Sequence, residues 1–140
     1  MRDLEAFLRG SWRIERTIID RRRSICGNMG GQADFTPAGA FLNYQEAGLL
    51  KLGSHSGSAT QHYVYDFADG PQRALVRFRD GRPFHHLDLS SGEAAVAHAC
   101  APDSYEGRFT VHGPGQWRSR WTINGPAKDQ QIVTLYTRLG

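Results

Sequence analysis

The chain has 140 residues, 39% of them apolar and 22% charged, with a formal charge of +3. That length suits one domain, residues 1–140, with a core that needs no disulfide or metal to hold it. No run approaches the ~20 apolar residues of a membrane-spanning helix. Met1 to Leu8 lack the apolar centre of a signal peptide, so a cytoplasmic protein with no membrane partner is expected. Only two of the 17 basic residues are Lys, an Arg bias that reads as composition rather than as a nucleic-acid footprint.

Asp3 can cap a short helix over residues 3–9, with Leu4, Phe7 and Leu8 on one stripe and Gly10 ending it. From Gly10 to Asp20 the chain alternates with the strand period. Trp12, Ile14, Arg16 and Ile18 share one face, while Arg13, Glu15 and Thr17 share the other. Arg21-Arg22-Arg23 reads as a solvated turn that protects an edge, with phosphate binding as the alternative. A second strand follows over Ile25 to Phe35, where Gly27, Gly30 and Gly31 suggest a bulge or sharp bend. Pro37-Ala38-Gly39 makes a turn, Phe41 to Glu46 a strand, Ala47-Gly48 a turn and Leu49 to Leu52 a short strand. Ser54 to Ser58 reads as a loop. Further strands are expected over 59–67, 73–79, 83–89, 94–101, 105–112, 117–123 and 132–138, each bounded by Gly, Pro, Asp or Asn. Cys26 and Cys100 fall in strands and are expected as packed, reduced thiols.

Such a meander is an all-β, up-and-down antiparallel barrel of about ten strands, with the short helix capping one end. Gly10-x-Trp12 after a short helix resembles the opening of a lipocalin or related calycin barrel. The resemblance implies that Trp12 plugs the closed end and that Arg138, near the end of the last strand, covers it. The strand number leans toward the fatty-acid-binding and nitrobindin branch. A nitrobindin-like haem would want a histidine on the C-terminal strands, and residues 116–140 contain none. The segments Asp80 to His85, His98 to Tyr105 and Trp121 to Arg138 resemble those of bacterial calycin-like proteins grouped as a domain of unknown function. That likeness implies a fold and no activity.

A barrel this wide tends to keep a cavity. Alternation turns Arg16, Tyr63, Tyr65, His85, His98 and Tyr105 toward it, and Glu46 if Leu42 and Tyr44 also face inward. Phe84, His86 and Asp88 fall on the opposite face from His85. An inward Arg16 needs a partner. Glu46, Asp66, Asp88 or an anionic ligand can serve, because a guanidinium with neighbouring Tyr hydroxyls makes a carboxylate receptor. The expected function is therefore small-molecule binding: a partly apolar, anionic ligand in the lumen, without a cofactor. The alternative is a small cofactor-free enzyme, an isomerase, lyase or hydrolase. It would use His85 or His98 as base, Tyr105 as acid and Asp103 to orient the ring. A zinc or iron site at His85, His98 and Cys100 has weak support. Trp121 is expected in the core and Trp117 near a rim. Arg77-Phe78-Arg79 splits across two faces, so no nucleic-acid partner is read. A homodimer contact is left open.

Overall fold

The computed structural model describes residues 1–140. Helix α1 (Leu4–Leu8) is followed by ten strands: β1 (Gly10–Asp20), β2 (Ile25–Ala38), β3 (Phe41–Leu52), β4 (His55–Asp66) and β5 (Arg73–Phe78), then β6 (Pro83–Asp88), β7 (Glu93–Cys100), β8 (Asp103–Val111), β9 (Gln116–Gly125) and β10 (Lys128–Arg138). The sheet order is β6-β5-β4-β3-β2-β1-β10-β9-β8-β7, antiparallel throughout. Chain neighbours are hydrogen-bonded neighbours everywhere except at β6 and β7, and β1 pairs with β10. These two edge strands carry no mutual ladder, yet side chains bring them together. Phe84 of β6 packs on His98 of β7 at 5.2 Å and on Trp121 of β9 at 5.1 Å. The molecule is a nearly closed, up-and-down barrel with one seam.

One end is solid. Asp3 accepts a hydrogen bond from the Ala6 N–H, as a helix cap should, and Leu4 and Leu8 are fully buried. The Trp12 indole donates to the Leu8 carbonyl at 2.8 Å. Arg138, opposite Trp12 in the β1–β10 register, lies 4.2 Å from the Trp12 ring centroid. Its guanidinium also donates to the carbonyls of Arg9 (3.0 Å) and Phe7, which the short helix leaves without partners of its own. One side chain thus ties the helix end, the indole and the last strand together. Above Trp12, the rings of Phe35, Trp117 and Phe109 continue the packing.

Several expectations give way to the three-dimensional structure. Phe41–Glu46 and Leu49–Leu52 are one strand, β3, and Ala47-Gly48 is no turn. Gly48 stands opposite Gly31 of β2. A methyl group on Gly31 would lie 2.2 Å from the Ala47 carbonyl oxygen, and one on Gly48 would lie 2.4 Å from that of Gly30. The glycines let two backbones approach where long strands curve, and the β1–β2 and β2–β3 registers run without a bulge. Pro37 lies inside β2, and His55 to Ser58 belong to β4 rather than to a loop. Cys26 and Cys100 are exposed, not packed. The two tryptophans exchange places: Trp117 is 1% exposed and stacks on Tyr136 at 3.7 Å, while Trp121 is only partly buried.

The close approach separates two neighbouring glycines. Gly31→Ala should lower stability by about 2 kcal/mol or more through steric overlap. Gly30→Ala, whose added methyl meets nothing within 4 Å, should be neutral or slightly stabilising. Urea unfolding of the two variants measures the difference.

Candidate functional site

Above the packed end the barrel is hollow. The cavity measures ≈ 370 Å³, and 16 of its 23 lining residues are hydrophobic. It exists because inward positions in successive layers change character. Along β1 the sequence passes from Trp12 and Ile14, fully buried, to Arg16 and Ile18, which line the space. Along β3 it passes from Leu42 to Tyr44 and Glu46, and along β10 from Tyr136 to Thr134 and Ile132. A ten-stranded ring encloses more volume than such side chains fill.

The charged centre is Arg16 with Glu46. The guanidinium donates in a fork, Nη1 to Oε1 at 3.0 Å and Nη2 to Oε2 at 2.8 Å, and its Nε donates to Thr134 Oγ1 at 2.8 Å. Tyr44 donates to Glu46 Oε2 at 2.9 Å, and its hydroxyl lies 3.4 Å from that of Tyr136. Burial works against the Arg16 charge, but its surroundings, the hydrogen-bonded Glu46 carboxylate among them, outweigh it and raise its pKa further. Burial likewise pushes the phenols of Tyr44, Tyr63, Tyr65 and Tyr136 up, so all four stay neutral. Of the other candidate partners for Arg16, Asp66 pairs with Arg77 at 3.1 Å and Asp88 accepts from the Ser90 N–H.

His85 faces the same cavity from β6 and is 7% exposed. Its Nδ1 lies 3.0 Å from the His86 carbonyl oxygen. A carbonyl only accepts, so Nδ1 carries the proton. Burial lowers the pKa of this ring to about 4 despite that bond. Its neighbours are aromatic: Phe84 at 4.8 Å, Trp121 at 5.3 Å and Phe109 at 5.6 Å.

Alternation misplaced Phe84. The β5–β6 register passes from Val76 opposite His85 to Arg77 opposite Pro83, leaving Phe84 as an extra residue. The bulge turns Phe84 and His85 toward the same cavity. Phe84 then stacks between Trp121 (16°) and Phe78 (4.6 Å, 21°). Trp121 has room because Gly107 stands opposite it, and a methyl group there would lie 2.9 Å from the indole.

The expected ligand-binding residues Arg16, Glu46, Tyr63, Tyr65, His85 and Tyr105 all line the one cavity. His98 does not. It stands opposite Tyr105 in the β7–β8 register, with its ring edge-on to Phe84 and to Phe78. Phe84 therefore sits between His85 and His98, which occupy unpaired strands. Asp103 binds Lys128 Nζ at 3.2 Å. The four residues expected to form an acid–base group are thus divided. His85 and Tyr105 share the cavity, His98 packs in the seam and Asp103 holds a lysine. No three His, Cys, Asp or Glu side chains gather where they can hold an ion. No helix is long and apolar enough to cross a membrane.

The match to a family model runs over residues 8–138, and the chain belongs to that family, described as a family of unknown function (DUF6314). No curated protein matches it in sequence. Among solved structures it is similar to the S-type phycobiliprotein lyase CPES from Guillardia theta. That match has a TM-score of 0.68 and 11% identity and covers 99% of this chain and 93% of the lyase. It is also similar to a redesigned β-barrel, mFAP1, solved bound to DFHBI, with a TM-score of 0.50, 16% identity and coverage of 99% and 100%. A fluorescence-activating β-barrel designed de novo matches with a TM-score of 0.51, 13% identity and coverage of 99% and 100%. At these identities the likeness establishes the barrel fold and no more.

Two measurements test the site's electrostatics. Glu46→Ala should cost about 3 kcal/mol, because it leaves Arg16 buried without a counter-charge. The double variant Arg16→Met/Glu46→Leu should cost less than that single change in urea unfolding. The second concerns His85, whose folded pKa of about 4 lies below the usual 6.5. The unfolded chain takes up this proton first, so stability is full above about 6.5 and falls as the pH drops toward about 4. The loss from this group is at most about 3 kcal/mol. A His85→Phe variant should show a correspondingly shallower decline over that window.

Proposed function

We propose that this protein binds a small, partly apolar molecule in the hollow half of its barrel. One observation carries the reading: a mostly apolar cavity of ≈ 370 Å³ persists directly above a fully packed end. Unfilled apolar volume is destabilising in itself, and it lies within the size range of small-molecule sites. Two fold neighbours lend support by analogy, since mFAP1 was solved with DFHBI bound and CPES is named a lyase of phycobiliproteins.

The charge of the ligand follows from Arg16. Its fork is matched to Glu46, and its Nε to Thr134. An anionic ligand would have to displace a buried carboxylate and leave it uncompensated. We therefore favour a neutral ligand over the anionic one that Arg16 alone suggests. In this reading the ion pair, with Tyr44, holds β1, β3 and the adjoining β10 in place beneath the ligand.

N-phenyl-1-naphthylamine, a neutral dye that fluoresces in apolar surroundings, is a suitable probe. It should bind saturably with one site per chain. Ala59→Trp, which places an indole in the cavity, should weaken binding by about tenfold or more while the protein remains folded by circular dichroism. Absence of saturable binding, or equal binding by the filled variant, would refute the reading.

A further inference from the structure

We propose that the lumen ligand is a planar hydrogen-bond donor, which presents an aromatic O–H or N–H to Nε2 of His85. The inference rests on the lumen reading and names the class of molecule that site takes. The His86 carbonyl holds the proton on Nδ1 at 3.0 Å, so in the neutral ring Nε2 is a bare acceptor. No side chain of the protein donates to it. The rings nearest His85 are Phe84, Trp121 and Phe109, between 4.8 and 5.6 Å by centroid. In such surroundings a hydrogen bond donated by a ligand is stronger than the same bond in water.

Several of the other polar groups deep in the cavity are already matched, and the one buried atom there without a partner, Trp117 Nε1, is itself a donor and offers a ligand no acceptor. Arg16 is bound to Glu46 and Thr134, Tyr44 to Glu46, and Tyr63 accepts from Gln61 at 2.7 Å. His85 is thus the position where a ligand gains most by donating. A carboxylate, which only accepts, would face a lone pair there. The flanking rings set the shape. Trp121 and Phe109 stand at 89° to each other, 5.9 Å apart, and present both a face and an edge to a flat molecule. A phenol, an enol fused to a ring or an aromatic N–H heterocycle meets all of these requirements.

Matched naphthalenes test this with the intact protein near neutral pH. 2-Naphthol should bind about tenfold more tightly than 2-methoxynaphthalene, which has the same rings and no donor. 2-Naphthoate should bind more weakly than 2-naphthol. In His85→Leu the advantage of naphthol over its ether should disappear, while the ether still binds. Because that variant replaces a core side chain, the unaltered protein supplies a second readout. The ¹⁵N resonance of His85 Nε2 should move on adding 2-naphthol and stay in place on adding the ether. The inference is overturned if the two ligands bind wild-type protein equally, if naphthoate binds more tightly than naphthol, if the preference survives in His85→Leu, or if the Nε2 resonance does not respond. If none of the three naphthalenes binds, the lumen reading itself falls and this inference with it.

Discussion

A ring of ten strands is wider than the side chains pointing into it can fill, and the interior of this protein is arranged around that constraint. One half is filled by bringing in extra mass. Helix α1 lays Leu4 and Leu8 across the end, Trp12 projects beneath them, and Trp117 meets the Trp12 ring edge-on and packs in turn on Phe35. Arg138 secures this arrangement by meeting the indole face and the helix carbonyls with a single guanidinium. The other half has no such supplement. Its inward positions carry Arg16, Glu46, Tyr63 and His85, and the space between them stays open.

The ion pair governs what that space can hold. A charged guanidinium at this depth requires a carboxylate, and the carboxylate requires the Tyr44 hydroxyl to complete its hydrogen bonds. The result is a polar floor with no net charge. His85 adds an acceptor rather than a cation, because its surroundings are aromatic and one ring nitrogen is bound to the backbone. Neutral polar groups below and apolar rings around them favour molecules that are mostly carbon and bear a few directed donors.

The seam between β6 and β7 is the one place where backbone hydrogen bonds do not close the wall. Side chains do that work there. The bulge opposite Val76 and Arg77 brings Phe84 inward, where it stacks on Phe78 and Trp121 and meets His98 edge-on. Aromatic packing of this kind joins two strands that have no common register. It also fixes the ring of His85 within the same cluster, so the geometry of the wall and that of the candidate site are coupled.

Alternation was enough to read the inward face of β1 and to turn Arg16, Tyr63, Tyr65, His85 and Tyr105 toward one interior, with Glu46 depending on Leu42 and Tyr44, while the barrel rested on the run of short strands together with a family resemblance. In a strand each side chain's direction follows from its parity, and parity is a local property. The pairing of Trp12 with Arg138 was expected from the resemblance that Gly10-x-Trp12 carries, not from strand parity. The partner of Arg16 was not legible, since Glu46, Asp66 and Asp88 are equivalent until the strands are placed side by side. Nor was the inward turn of Phe84, because a bulge is decided by how two strands meet. Gly48 looked like a turn, and only the approach of Gly31 from the next strand makes it part of a continuous one. The separation of His98 from His85 follows from the open seam, because β6 and β7, consecutive in the chain, became the two edges of the sheet. Local periodicity thus determined which way most inward residues point where no bulge intervenes. Contacts between residues far apart in the chain decided which of them meet, and so gave the cavity its volume, its neutrality and its free acceptor.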